Sequence, residues 1–262
     1  MEGWNLVMDH NIQVRKAVIL ASGYGRRMRQ KELFPSKPMR RIEDKPLISY
    51  AIDLLIYSGI EKIYIVYHSV TSDVLDLLKY STVYAEYLEF IEEEEQKGTL
   101  LSFSRVKDKL SAPFLMVFED IIADKEDFIE MLNIGYKYIE GNADLVIQTV
   151  RLPSLISEQA FLVENSRIIR YQKNGIIGAV NSFQEKKYGG MAYLWLSEPF
   201  SLIEPYFAKQ NYKFSAFLEE YIPKHIVFEM PINDMWDVDT TEAADLTKKI
   251  LKERGGWDGC LE

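Results

Sequence analysis

The sequence predicts an α/β protein with a mixed, mainly parallel sheet between helices. Two patterns carry that expectation. Short runs of Val, Ile, Leu and Phe, typical of strands buried on both faces, alternate with helix-length amphipathic segments. The first run opens directly into a loop bearing Gly23 and Gly25, and α/β sheets commonly meet their ligands at such strand ends.

Strands are expected at residues 17–21, 62–68, 114–118 and 144–149, all rich in β-branched or aromatic residues. Helices fit 47–58, 72–79, 99–109 and 127–139, with Ser72 and Asp127 near N-termini and Gly59 stopping the first. Beyond Pro153 the texture changes. Residues 161–164 and 167–171 read as a hairpin turning at Asn165-Ser166, 188–196 and 225–229 as strands, and 211–221 and 241–252 as helices.

Composition narrows the chemistry. A chain of 262 residues with 47% hydrophobic and 27% charged residues has ample material for a core. The formal net charge of −9 disfavours nonspecific nucleic-acid binding, which needs a basic surface. Against that acidic background, the basic cluster in residues 26–45 suggests a small anionic ligand. The single cysteine, Cys260, excludes a disulfide framework or zinc cluster, and His10, His68 and His225 have no metal-ligand spacing. No apolar run approaches a membrane span and residues 1–14 lack a signal-peptide core, so the expectation is a cytoplasmic protein without a membrane span.

Glycines bring bare backbone N–H groups to an anion, and cations neutralise it. Gly23 and Gly25 are followed by Arg27, by Lys37 ten residues later, and by Lys45 eight beyond that. Gly23-Tyr24-Gly25 alone would also suit a plain strand-to-helix turn. It fails the dinucleotide fingerprint, because Met28 stands where the third glycine belongs, and no P-loop motif occurs. The ordered set Leu20-Ala21-Ser22-Gly23-Tyr24-Gly25-Arg26-Arg27-Met28, then Lys37-Pro38-Met39, then Lys45-Pro46-Leu47-Ile48, resembles the opening signature of the sugar-phosphate nucleotidyltransferase family, with its spacing kept ungapped. Ser36 and Gln30 replace prolines of that signature, changes of loop shape rather than charge.

The resemblance implies a Rossmann-like, GT-A-like three-layer α/β/α fold and transfer of a nucleotidyl group from an NTP to a phosphorylated small molecule, with release of pyrophosphate. Two polyanions must meet in that reaction, so fixed cations and N–H donors supply much of the catalysis. Arg27 would hold the departing phosphates and Lys37 the α-phosphate, with Leu20, Ala21, Ser22, Gly23 and Gly25 forming the nucleotide cradle. Gly98-Thr99 resembles the element that meets the nucleobase, although Thr99 would equally serve as a helix N-cap. Leu100, in place of the usual alanine, leaves the base open. The neighbouring run of Glu92 to Glu95 reads as a solvated face.

A run of Phe and Val ends in Glu119-Asp120, and Met235-Trp236-Asp237-Val238-Asp239-Thr240 precedes the closing helix. In the family two such aspartates bind magnesium, and Asp120 and Asp237 match them, giving Mg2+ as the expected cofactor. Glu119 stands where glycine is usual. Asp239-Thr240 reads rather as the N-cap of the closing helix, which for Asp239 is favoured over metal binding. Gln172 and Lys173 fall where the family contacts its acceptor, Gln172 replacing a glutamate, and Gly190 matches a glycine facing the acceptor. The stretch from Glu164 to Asn174, with the ending Trp236 to Thr240, looks closest to the inositol-phosphate and choline-phosphate cytidylyltransferase branch, which favours CTP ahead of UTP.

The organisation so implied is an extension over 1–14, one domain over 15–254 with a nucleotide-binding half (15–150) and an acceptor half (151–254), and a frayed tail over 255–262. Partners would be the NTP and the phosphorylated acceptor, with a homo-oligomer open. Two other classes share the pattern: a glycosyltransferase using a nucleotide sugar, and a catalytically silent nucleotide-binding domain. The first should carry a D-x-D motif after roughly one hundred residues, whereas the one found, Asp237-Val238-Asp239, comes late in the chain.

Overall fold

β1 (Lys16–Leu20) enters the glycine loop, which leads to a 3-10 turn at Lys37–Met39 and a ribbon of β2 (Arg41–Ile42) and β3 (Lys45–Pro46). There follow α1 (Leu47–Tyr57), β4 (Lys62–His68), a 3-10 segment at Ser69–Lys79, α2 (Tyr84–Tyr87), β5 (Leu88–Glu93), α3 (Thr99–Ser104), β6 (Phe114–Phe118), β7 (Ile121–Ala123), α4 (Lys125–Glu140) and β8 (Leu145–Val150). The second half adds β9 (Ala160–Glu164), β10 (Arg167–Gln172), β11 (Gln184–Trp195), α5 (Glu204–Ala208), α6 (Phe214–Tyr221), β12 (Val227–Pro231), β13 (Met235–Asp237) and α7 (Thr241–Glu253). This computed structural model describes residues 14–23, 25, 35–140, 142–150, 159–173, 181–233, 235–254 and 256–257.

Nine strands form one sheet in the order β5-β4-β1-β6-β11-β8-β12-β10-β9. β5, β4, β1 and β6 are mutually parallel, and β8 is parallel to β12. β11 lies antiparallel between β6 and β8, so all six of those strands direct their carboxyl ends to one edge. β1 shows why both faces are covered: Ala17 and Ile19 enter a core shared with α1, α4 and α7, whereas Val18 and Leu20 enter a second core shared with α3 and α6. Successive side chains of a strand point to opposite faces, and a run apolar on both faces therefore needs a helix layer on each side. The result is a sheet covered by helices on both faces, as the alternation predicts, in the three-layer Rossmann-like form that the resemblance implies.

The hairpin turns at Asn165 and Ser166, with φ of 51° and 61°, the pair of left-handed residues that matches strand twist. Other expectations are corrected. Residues 72–79 belong to a 3-10 segment that starts earlier, at Ser69, and His68 rather than Ser72 caps it, its Nδ1 accepting from Val70 N at 3.3 Å. The helix expected over 99–109 ends at Ser104 and continues as turns. The helix expected from Asp127 begins at Lys125, which frees the Asp127 carboxylate to accept from Asn233 N at 3.3 Å. The helix expected over 211–221 starts at Phe214. The acidic run is not simply a solvated face, for Leu88–Glu93 is a strand and Glu93 is 1% exposed. Its four glutamates masked the apolar Leu88, Phe90 and Ile91 in front of them. The expected tail is tied down at Trp257, which is buried against Tyr50 and donates its indole N–H to Ala123 O at 3.0 Å. Residues 1–13, 255 and 258–262 lie outside the described residues. Among the described residues no helix is long and apolar enough to cross a membrane.

Candidate active site

The site assembles at the carboxyl edge of the parallel strands. Past β1, Ala21 N still bonds Val66 O at 2.8 Å, so the chain leaves the sheet only at Ser22. Gly25 has φ of +54°, and a Cβ on it would stand 2.7 Å from Lys37 Cβ. Only glycine lets the loop lie against the lysine. The 3-10 turn carrying Lys37 is pinned from outside, where Ser36 N donates to Asp73 Oδ2 at 2.7 Å. Lys37 is thereby buried, with 5% of its side chain exposed.

β6 ends in Glu119 and Asp120. A second, two-stranded sheet then brings in the distant carboxylates: β13 pairs with β7 so that Asp237 faces Ile121, and Val238 N donates to Asp120 O at 3.2 Å. Lys37 Nζ donates to Asp120 Oδ2 and to Asp239 Oδ1 and lies 4.0 Å from Glu119 Oε1. One carboxylate oxygen from each of Asp120, Asp237 and Asp239 falls within 4.8 Å of the others. Asp120 Oδ1 and Asp237 Oδ1 are buried without a hydrogen-bond partner. Asp239 therefore joins the acidic cluster and is not the helix cap; Thr240 fills that role, its Oγ1 accepting from Ala243 N at 3.1 Å.

One ammonium cannot neutralise four carboxylates in a site where Lys37, Glu119 and Asp120 are buried. Burial opposes the charge of Lys37, yet the surrounding acids, Asp120 foremost, hold its pKa above the ordinary lysine range. Burial pushes Glu119 up to about 8, with the Asp120 charge adding to it. Asp120 and Asp237 are also raised, first by burial and, against the pull of Lys37, by neighbouring aspartates. Four carboxylates thus face one ammonium, and burial holds back their full ionisation.

Gly98 is the N-terminal cap of α3, without a side-chain cap bond, and Thr99 is the first helical residue, so the alternative of a Thr99 cap is not what the chain adopts. A Cβ on Gly98 would stand 2.5 Å from Tyr212 O, which explains the glycine by close backbone approach. On the other side of the sheet edge, Gly190 in β11 has φ of +83°, and a Cβ there would reach 2.6 Å from the Tyr193 hydroxyl. Gln172 and Lys173 are exposed at the end of β10. Gln172 pairs with Ala160, which pairs with Tyr188, so the two acceptor expectations fall on the two strands that pair with β9.

The model of the family described as nucleotidyl transferase matches residues 16–226. The chain belongs to that family. Among sequence relatives, mannose-1-phosphate guanyltransferase beta-B of Xenopus laevis is 25% identical over 189 residues, covering 66% of this chain and 49% of the relative. A putative mannose-1-phosphate guanyltransferase of Sulfolobus acidocaldarius is 30% identical over 172 residues, covering 63% and 46%. The chain thus spans about half the length of these relatives. A UDP-glucose pyrophosphorylase complexed with UDP-glucose superposes with a TM-score of 0.74 at 14% identity, over 92% of this chain and all of that one (100%). The inositol-1-phosphate CTP transferase from T. maritima gives 0.71 at 18%, over 90% and 96%. At those identities the likeness is one of fold.

In this member of the family Gly25 lies against Lys37 and a Cβ on Gly23 would stand 3.7 Å from Glu119 Oε1, while Leu20, Ala21 and Ser22 lead from β1 into that loop. Arg27 lies outside the described residues. Lys45, the third cation of the opening segment, turns away from the cluster. It bonds Asp53 Oδ2 at 2.7 Å and packs over the rings of Tyr50 and Trp257. One member of the acidic cluster, Asp239, escaped sequence reasoning. Asp239 was hidden because an aspartate beside a helix start is usually read as a cap.

Proposed function

We propose that this nucleotidyltransferase joins the nucleoside monophosphate of an NTP to a phosphorylated small molecule, a sugar 1-phosphate being favoured by the names of its sequence relatives. The observation that carries the reading is the meeting of Lys37 with Asp120 and Asp237 beside the Gly23–Gly25 loop, at the carboxyl edge of the sheet. An oxygen of the acceptor phosphate attacks the α-phosphorus as the bond to the β-phosphate breaks, and pyrophosphate leaves.

The residues suit Mg2+: hard oxygen donors converge, and Asp120 Oδ1 and Asp237 Oδ1 are buried and unpaired. Asp120 and Asp237 would hold it, with Asp239 at hand. When bound, the ion supplies charge neutralisation and orients the triphosphate. Lys37 would turn its ammonium to the α-phosphate, and Arg27 would take the leaving phosphates. Backbone amides around Gly23 and Gly25 complete the cradle, while Gly98 and Thr99 approach the nucleobase. Gly190 lets the Tyr193 hydroxyl and Gln159 close in on the strand, and Gln172 and Lys173 would bind the acceptor from the end of β10. No covalent intermediate is required, because positioning and charge neutralisation suffice. The CTP or UTP preference expected from residues 164–174 gains no support from the named sequence relatives, which are guanyltransferases.

The test is to incubate the protein with each NTP, Mg2+ and a panel of sugar, polyol and amino-alcohol phosphates while following pyrophosphate. Release with one pairing is the expected result. Silence across the panel would reject the enzymatic reading for those substrates.

A further inference from the structure

Glu93 ends β5 level with His68 at the end of β4, on the edge where Ser22 leaves β1. It is 1% exposed, and neither carboxylate oxygen has a hydrogen-bond partner. Three residues on, Gln96 donates its amide N–H to Ser22 O, and its own carbonyl oxygen is buried and unpaired. Ser22 and Ser102 share a hydrogen bond at 2.8 Å between their hydroxyls, which consumes one of their two hydroxyl hydrogens. These hydroxyls lie beside the Glu93 carboxylate and ease its burial without outweighing it. Three acceptor oxygens thus sit within four residues of chain, beside the nucleotide loop and just ahead of Gly98. Buried acceptors left unpaired are costly, and a ligand rich in donors removes the cost.

Resting on the nucleotide-binding reading above, we propose that Glu93, supported by Gln96, Ser22 and Ser102, selects guanine, so that the nucleotide substrate is GTP. Guanine offers a ring N–H beside an exocyclic NH2 on one edge, adjacent donors for the two oxygens of a carboxylate with one hydrogen to spare. Adenine and cytosine set their amino group beside a ring acceptor, and uracil sets its single N–H between two carbonyls. In each of those cases a carboxylate oxygen faces another acceptor.

The experiment compares GTP with ITP, which lacks the exocyclic amino group, and with UTP, CTP and ATP. Turnover is read as pyrophosphate release and binding as calorimetric affinity, on the full chain and on Glu93→Gln. In the native protein GTP should be preferred over ITP by roughly 10- to 100-fold, the range for leaving a buried acceptor unpaired. Glu93→Gln offers one N–H and one carbonyl, so the GTP/ITP ratio should collapse towards one while UTP improves relative to GTP. A purely structural Glu93 would lower all nucleotides in parallel and leave the ratio intact, overturning the proposal. Native binding that is flat across bases, or that favours a pyrimidine, would also overturn it, even if Glu93→Gln fails to fold. Selective GTP binding without turnover on any acceptor would support the guanine assignment and reject the proposed reaction, so the two failures are distinct.

Discussion

Gly25 and Lys37 lie in direct contact: with Gly25 at φ +54°, the space its missing Cβ would fill is 2.7 Å from Lys37 Cβ. The two motif residues, twelve positions apart in the chain, are thus one structural unit. The loop can pack on the lysine only because it has no side chain there, and the lysine in turn is aimed at Asp120 and Asp239. Gly25→Ala should therefore act through Lys37. A left-handed alanine costs about 1–2 kcal/mol, and the displaced lysine should lower turnover on the order of 100-fold. Pyrophosphate release measured beside a thermal melt checks this; a variant that loses stability but keeps kcat would refute the coupling.

Lys37→Met removes the ammonium that bridges Asp120, Asp239 and Glu119. Breaking a buried charge pair by deleting one partner costs about 3–5 kcal/mol, so the metal-free variant should melt well below the native protein. Mg2+ should raise its melting temperature more than it raises that of the native chain, because it replaces the lost positive charge. Activity should not return with the stability. Equal Mg2+ shifts in the two proteins would count against a metal at this cluster.

Asp120→Asn and Asp237→Asn should each lower kcat/KM by on the order of 100-fold or more, the scale of losing a ligand of a charge-neutralising ion. Each should also weaken the Mg2+ dependence in a titration of rate against metal. Asp120 is buried and Asp237 half-buried, and the Oδ1 of each is buried and unpaired, so the amide changes charge with little change of shape. Native-like Mg2+ titrations in both variants would rule out their role as ligands.

Acid should stabilise the metal-free protein. Glu119 is raised from 4.5 to about 8 in the fold, so the folded state binds more protons than the unfolded chain between those values. Stability from this group is fully present below about 4.5 and is lost as pH rises through 8. Asp120 and Asp237 shift in the same direction. Melting curves in EDTA should thus fall from pH 5 towards pH 8, about the window set by those shifts. Glu119→Gln should flatten the slope, and an unchanged slope would remove Glu119 as its source.

Lys45 has a different part from the cations upstream. With 18% of its side chain exposed, it compensates Asp53, which also accepts from the Tyr84 hydroxyl at 2.8 Å. Lys45→Ala should destabilise by about 2–3 kcal/mol, less than a fully buried pair, and leave kcat unchanged. A selective loss of kcat would place Lys45 in the site after all.

Periodicity and composition sufficed for the alternating architecture, because a strand buried on both faces must be apolar throughout and a covering helix must be amphipathic. Lys62–His68 and Phe114–Phe118 were legible to the residue. Local spacing also marked Gly23, Gly25 and Lys37, because a loop wrapped on a polyphosphate needs small residues and a cation within one short segment. Glu93 was illegible for the opposite reason. A glutamate among glutamates looks solvated, and only pairing of β5 with β4 buries it. Asp239 and Lys45 carry the same charges in sequence as in space, yet the β7–β13 pairing sends the first into the acidic cluster and Asp53 draws the second away. Sequence determined which chemical groups were available at the sheet edge; tertiary packing decided which of them meet, since a charge acquires its role from its neighbours in space, whether eight residues away as Asp53 is from Lys45 or 202 away as Asp239 is from Lys37.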